Sequence, residues 1–314
     1  MGKSKRKTKQ SSILIFIIFG LGILLLSYLT VNNYLKCTKF MEKNKNLNVT
    51  LNEEKENNTK TKESNNELIK QKEELENLDE KIANIKEEVF TLASQVETKI
   101  KNKETSYKIA YLTFDDGPYR LTDTIIATLK KYKVKATFFT IGLNKDVCFD
   151  NRNYSCAETY KKIVDNGHTI ANHTYSHLIF DGLYNSTDSF ISQVKKQEEL
   201  IKNRTGVTTN ILRFPGGAST AAYYGVKNSA IAKLKEMGYG WVDWTAQDGD
   251  GGSLTDYNVG WRNFTGSINE DIEVVLFHDY NNTTASLLPK AIEYLENSNY
   301  ILLPLFYDSI MINK

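Results

Sequence analysis

The chain has 314 residues, with 40 Lys and Arg against 38 Asp and Glu and a formal net charge of +2. That balance leaves no dominant basic field, so no nucleic-acid partner is expected. Three cysteines suit an oxidising or a reducing compartment equally.

Residues 1–11 form a basic tail with Lys3, Lys5, Arg6, Lys7 and Lys9, and residues 12–32 contain an uncharged apolar run from Ile13 to Val31. About 20 apolar residues suffice to cross a bilayer, so one transmembrane helix is expected. The basic tail places the N-terminus in the cytoplasm and the rest of the chain outside, although Lys36 and Lys39 beyond the span weaken the asymmetry. A cleaved signal peptide has an apolar core of roughly 7–15 residues and a small-x-small cleavage site. Ser27-Tyr28-Leu29-Thr30 offers no such site, and Lys36 before Cys37 argues against a lipoprotein signal.

Residues 33–104 read as a linker and helical stalk. From Asn44 to Asn66 the chain is rich in Asn, Lys, Glu and Thr, with little to bury, as in a solvated linker. Leu75, Leu78, Ile82, Ile85, Val89, Leu92 and Val96 then recur at alternating intervals of three and four, the spacing of a coiled-coil seam. A homodimer zipped through residues 75–96, with Cys37 placed to link the two copies, is one reading. A single amphipathic helix folded onto the following domain is the other, and about three heptads leave both open.

From residue 105 to 314 strand-like and helical segments alternate. Apolar runs at Ile109 to Phe114, Ala136 to Ile141, Thr169 to Ala171, Ile211 to Phe214, Tyr239 to Trp244, Val274 to Phe277 and Tyr300 to Leu305 read as strands. Asp123 to Tyr132, Ala157 to Asn166, Ser189 to Asn203, Asn228 to Met237 and Ala285 to Glu296 read as helices. Such alternation argues an α/β domain with a parallel sheet. Cys148 and Cys156 bracket a polar insertion and would pair outside the membrane, the alternative being two free thiols.

The chemistry-bearing residues fall at the ends of these strands. Leu112-Thr113-Phe114-Asp115-Asp116-Gly117-Pro118 sets two carboxylates side by side. In a regular strand they point to opposite faces, so both reach one site only where Gly117-Pro118 breaks the strand. His173 and His177, four residues apart, would share a face if they formed one helical turn, with Cβ atoms about 5–6 Å apart. His278 ends the apolar run Val274-Val275-Leu276-Phe277. Alone, Asp-Asp-Gly is more often a turn, and His-x-x-x-His is as often a polar helix face. Together they make an Asp/His/His metal set with open positions, the pattern of a catalytic rather than a structural zinc site. His168 fits a turn residue after Asn166-Gly167.

In order, Thr-Phe-Asp-Asp-Gly, His-Thr-Tyr-Ser-His, Arg213-Phe214-Pro215-Gly216-Gly217 and Leu276-Phe277-His278 resemble the polysaccharide deacetylases, also called NodB-homology or carbohydrate esterase family 4 domains. The likeness covers residues 105 to 314. It implies a distorted (β/α)7 barrel in which Asp116, His173 and His177 hold a divalent metal, usually Zn2+. Asp115 would then be the general base, oriented by Arg213, and His278 the general acid. The Gly216 N–H would complete the oxyanion site and Leu276 would line the acetyl-methyl pocket. Counting from Trp244 lands on Asp250 as the partner that orients His278, with Asp248 two residues away as the alternative. Trp241 and Trp244 offer sugar-stacking surface or simply buried aromatics. The family usually has an aromatic where Gly216 stands and Trp where Gly251 stands, which lowers two walls of the groove.

The expectation is a membrane-anchored, metal-dependent deacetylase facing the cell wall and releasing acetate from N-acetylglucosamine of peptidoglycan. Abundant Lys, Asn and Ile resemble low-GC Gram-positive composition, where the wall lies directly outside the membrane. Muramic-acid residues, poly-N-acetylglucosamine, chitin and acetylxylan are alternative substrates, and a non-catalytic glycan-binding protein is the alternative of another class. A non-haem iron oxygenase shares two His and one carboxylate, but the chain has no His-x-Asp pair.

Overall fold

The computed structural model describes residues 61–142 and 156–314. The expected basic tail and membrane span, the first part of the linker, and the Cys148–Cys156 pairing lie outside the described residues. Among the described residues no helix is long and apolar enough to cross a membrane.

Helix α1 (Thr61–Lys101) runs unbroken through the heptad-like segment; the side chains of Leu75, Leu78, Ile82 and Ile85 lie outside the description. The compact unit extends from Ser94 to Lys314, so the last turns of α1 belong to it, ahead of the expected start at 105. Glu97 shows why. Its carboxylate is fully buried and accepts hydrogen bonds from Tyr111 Oη at 2.5 Å, Ser309 Oγ at 2.6 Å and the Ile310 N–H at 3.0 Å. Ile100, one turn on, is buried as well.

In chain order the unit continues with β1 (Lys108–Gly117), α2 (Thr122–Tyr132), β2 (Thr137–Thr140), α3 (Cys156–Asp165) and β3 (Thr169–Asn172). An irregular turn at Ile179–Leu183 leads to α4 (Thr187–Thr205), β4 (Ile211–Leu212), α5 (Gly217–Tyr223), α6 (Lys227–Glu236), β5 (Gly240–Trp241) and β6 (Ala246–Gln247). Then come α7 (Tyr257–Ser267), β7 (Ile272–His278), α8 (Asn282–Asn297) and β8 (Tyr300–Leu303).

Among the described residues every pairing between the named strands is parallel, and the order is β5-β4-β3-β2-β1-β7-β6, with β8 pairing the first half of β1. This curled sheet is consistent with a distorted (β/α)7 barrel. The central strands β1 and β7 are buried on both faces, as continuous apolar runs under helical cover require. Phe114 stacks on Phe138 at 5.1 Å and tilts against Phe277 at 5.7 Å, which packs the centre of the core. A second cluster, with Phe190, Phe214 and Leu234, sits under α4 to α6. The terminal residues cover one sheet edge, where Trp241 and Asn313 exchange backbone hydrogen bonds of 2.9 and 2.8 Å.

Three elements escape the sequence reading: α5, β6 and α7. Helix α7 carries Gly260 and Gly266, which depress helix propensity, yet Asp256 caps it by accepting from the N–H groups of Asn258 and Val259. Gly260 is there for packing, since a Cβ would sit 3.0 Å from Leu254 Cδ2 and 3.5 Å from Leu287 Cδ1 on α8. Strands β4 and β5 are shorter than the apolar runs that announce them: Arg213 and Val242 make the last backbone bonds to β3 and β4, and beyond them the chain turns to the site.

Candidate active site

The carboxyl ends of β1, β3, β4 and β7 converge, as barrel sites do. In β1 the ladder to β2 slips between Asp115 and Gly117, and Asp116 takes φ of 71°, a rarely populated conformation for a side-chain-bearing residue and a mark of functional sites. That residue, rather than Gly117-Pro118 alone, turns both carboxylates toward one centre. Gly117 is needed beside it: a Cβ there would lie 2.1 Å from Asp279 Oδ2.

His173 and His177 do not form a helical turn. The chain leaves β3 at Asn172 and loops through left-handed residues, Thr174 at φ 66° and His177 at φ 53°. Asn172 Oδ1 accepts the Thr174 N–H at 2.9 Å and steadies the turn. The loop achieves what the helix would have, with ring centroids 4.9 Å apart.

Among the described residues, Asp116, His173 and His177 form a group whose ligand atoms all lie within 4.8 Å of one another. Asp116 Oδ1 stands 3.5 Å from His173 Nε2 and 3.3 Å from His177 Nε2, and it is a buried oxygen with no hydrogen-bond partner. The corners of a tetrahedron with zinc-to-ligand bonds of about 2.0–2.1 Å are about 3.3–3.4 Å apart, so these donors fit a metal. The His173 tautomer agrees. Its Nδ1–H donates to the Arg213 carbonyl at 2.8 Å, which leaves the Nε2 lone pair facing the site. Burial, and next the neighbouring His177, push His173 down to about 3, so it is neutral.

Asp115 is buried and sits opposite His278 in the β1–β7 ladder. Its Oδ1 accepts from Arg213 Nη1 at 2.8 Å, and its Oδ2 lies 3.6 Å from His173 Nε2. Burial raises the Asp115 carboxyl, and Arg213 acts against that. Arg213 is itself fully buried and donates to Thr113 Oγ1, the Val242 carbonyl and the Asp243 carbonyl as well, with Phe139 4.3 Å from its guanidinium carbon. The guanidinium is thus immobilised, and with it the carboxylate.

His278 Nε2 faces Asp116 Oδ2 at 3.8 Å. Its Nδ1 pairs with Asp250 Oδ1 at 2.6 Å, and its backbone N–H donates to Asp250 Oδ2 at 2.7 Å. Asp250, not Asp248, therefore orients the ring. Burial opposes the charged ring most strongly, but the hydrogen bond and charge of Asp250, with Asp116 and Asp115 behind them, hold His278 up at about 9.

The matching family model is that of the polysaccharide deacetylases, over residues 102–241. Over that segment the chain is similar to the polysaccharide deacetylases, as its ordered motifs are. It is 29% identical over 208 residues, 62% of this chain and 67% of the relative, to a peptidoglycan-N-acetylglucosamine deacetylase of Bacillus cereus. A bifunctional xylanase/deacetylase of Pseudobutyrivibrio xylanivorans is 31% identical over 202 residues, 62% of this chain but only 29% of that longer protein. The catalytic domain of a peptidoglycan N-acetylglucosamine deacetylase from Eubacterium rectale superposes with a TM-score of 0.59 at 29% identity, covering 66% of this chain and 93% of that domain.

Asp115, Asp116, His173, His177, Arg213 and Gly216 lie within the matched segment, whereas Asp250 and His278 lie beyond it and are joined to the site by geometry. Leu276, two residues before His278 on β7, shares its face and is buried. Gly216 takes φ of 70° ahead of α5, and a Cβ there would meet Thr220 Oγ1 at 2.9 Å. Trp244 is half-buried over Gly217, which has no Cβ to collide with its ring at 3.1 Å. Gly251 leaves the edge of His278 open, since its Cβ would lie 3.1 Å from Cε1. His168 is a buried turn histidine away from this centre, accepting the Ala136 N–H at 3.2 Å and pushed by burial down to about 3.

Sequence reasoning missed Thr113, Asp243, Asp279 and Thr284. Asp243 ties Arg213, through its carbonyl, to the start of α5, whose Ala218 N–H it accepts at 3.0 Å. Asp279 accepts from Thr122 Oγ1 and is raised by burial to about 7. Asp279 directly follows His278, a signal that could have found it. Thr113, two residues before Asp115, shares its strand face.

Proposed function

We propose that this domain hydrolyses N-acetyl groups of cell-wall glycan, with N-acetylglucosamine of peptidoglycan as substrate. The observation that carries the reading is the partnerless Asp116 Oδ1 between two imidazole Nε2 atoms, flanked by an Arg-held carboxylate and an Asp-held imidazole. A divalent cation held by Asp116, His173 and His177, zinc in the first instance, would polarise the acetamide carbonyl and acidify a water. Asp115 takes the proton of the attacking water, with Arg213 keeping it ionised and aimed. The Gly216 N–H donates to the developing oxyanion, a contact worth about 2.7–4 kcal/mol in comparable sites. His278, charged at neutral pH, gives its Nε2 proton to the departing nitrogen, and acetate leaves. Leu276 lines the methyl pocket, and Trp244 offers its ring to a sugar face.

Peptidoglycan is favoured because the relatives from Bacillus cereus and Eubacterium rectale carry that name. Incubating residues 61–314 with zinc and either peptidoglycan, N-acetylglucosamine oligomers or acetylxylan, while measuring acetate, tests the reading. No acetate from any of the three would leave only a glycan-binding role; release from acetylxylan alone would move the substrate.

The anchor belongs to the same proposal: a single span at residues 12–32, cytoplasmic N-terminus, and catalytic domain outside facing the wall. So does a homodimer through residues 75–96. Ile82→Asp with Val89→Asp should abolish dimers of residues 44–314 in analytical ultracentrifugation, and a monomer at every micromolar concentration of the parent would reject the zipper.

A further inference from the structure

Beside the His278–Asp250 pair lies a second fully buried carboxyl, Asp248, which none of the roles above uses. Thr284, buried on α8, stands between the two: its Oγ1 is 2.7 Å from Asp248 Oδ2 and 2.8 Å from Asp250 Oδ2. Both are hydrogen-bond lengths. A threonine hydroxyl has one hydrogen, so with both carboxyls ionised one of these contacts would set lone pair against lone pair. One carboxyl must carry a proton.

The other partners decide which. Asp250 already accepts from His278 Nδ1 and from the His278 N–H, and donors of that kind favour the charged form. Asp248 Oδ1 accepts one N–H, that of Asp250, at 3.1 Å. Asn263 on α7 donates to the Asp248 backbone carbonyl rather than to its carboxyl. The charged groups packed around the pair are Asp250 itself and His278 on β7, behind which stand Asp116 and Asp115. Burial, and next the charge of Asp250, push Asp248 up to about 7, in line with the hydrogen count.

We infer that Asp248 is a neutral positioning residue: its carboxyl proton is donated to Thr284 Oγ1, Thr284 donates to Asp250 Oδ2, and this chain of donors holds Asp250 charged against His278. The assignment of His278 as acid rests on the deacetylase reading; the place of the proton does not. An aspartate here does the work of an asparagine. The amide of Asn would donate to Thr284 and accept the Asp250 N–H in the same geometry.

The test uses the full zinc-loaded chain at neutral pH. Infrared difference spectra between wild type and Asp248→Asn should show a protonated-carboxyl carbonyl band lost in the variant. In acetate release, Asp248→Asn should keep most of the wild-type kcat, whereas Asp248→Ala and Thr284→Val should lose about 10- to 100-fold, the usual cost of removing a supporting hydrogen bond behind a site residue, with KM near wild type. Thr284→Val keeps volume and serves if the alanine variant does not fold. A wild type without the acid band, or an asparagine variant as impaired as the alanine or valine one, would overturn the proposal. If the wild type releases no acetate from any glycan, the deacetylase reading fails, and the infrared result alone decides where the proton sits.

Discussion

Two acids with buried oxygens, Glu97 on α1 and Asp116 near the carboxyl end of β1, show how the same chemical group is spent on structure or kept for function. Glu97 accepts three hydrogen bonds from the protein, two of them short, and those contacts lock the end of α1, β1 and the C-terminal segment together. Asp116 Oδ1 is equally hidden from water yet has no donor. Leaving a buried oxygen unpaired costs about 1–3 kcal/mol, a cost that a metal ligand recovers only when the ion arrives. A saturated carboxylate therefore belongs to the fold, and an unsaturated one beside two imidazole lone pairs belongs to the chemistry.

The largest effects expected from that contrast are at the unsaturated end. Asp116→Ala, His173→Ala and His177→Ala should each lose bound metal by elemental analysis and all measurable acetate release, while for Asp116→Ala the urea midpoint of the metal-free protein stays at or above wild type. Asp115→Asn and His278→Ala should retain metal and lose about 10²–10⁴-fold in turnover, the range for a general base or acid. Metal loss in Asp115→Asn equal to that of the ligand variants would exchange the roles of the two aspartates.

At the saturated end the signature reverses. Glu97→Ala should destabilise the domain by about 3–5 kcal/mol, because the Tyr111 and Ser309 hydroxyls and the Ile310 N–H are stranded together. Turnover of the remaining folded protein should be unchanged. Urea unfolding followed alongside kcat separates the two; a catalytic loss without a stability loss would end the comparison.

The smallest effect is a pH dependence of stability in the metal-free protein. His278 is held at about 9 against about 6.5 unfolded. Its stabilisation is complete below the unfolded value and disappears as pH rises through the folded one. Between pH 7 and 9 this amounts to about 2 kcal/mol. His168 and His173, pushed down to about 3, act below this window, where stability falls as pH drops from about 6.5. The carboxyls of Asp248 and Asp279, raised to about 7, lower stability mainly as pH rises from about 4 to 7, below this window. Asp250→Asn should flatten the slope from 7 to 9, and an unchanged slope would remove Asp250 as its source.

Much of the site is legible in the order of residues along the chain. Asp115, Asp116, His173, His177, Arg213 and His278 stand at strand ends, and apolar runs announce the strands. What was misread follows from backbone conformation. The two histidines meet through left-handed residues rather than a helical turn, and α7, with Gly260 and Gly266, hides its helix because close packing on α8 rather than propensity secures it.

By itself, then, the sequence determined the alternation of strands and helices, the candidates for ligand, base and acid, and the family they resemble, because periodicity and residue chemistry are local properties. Only the tertiary structure decided that Asp250 rather than Asp248 holds His278, that Thr284 joins the two aspartates, and that Glu97 binds the end of α1 into the domain. Those assignments depend on distances between segments 28 to 213 residues apart. Such distances follow from how the core packs, and no spacing along the chain encodes them.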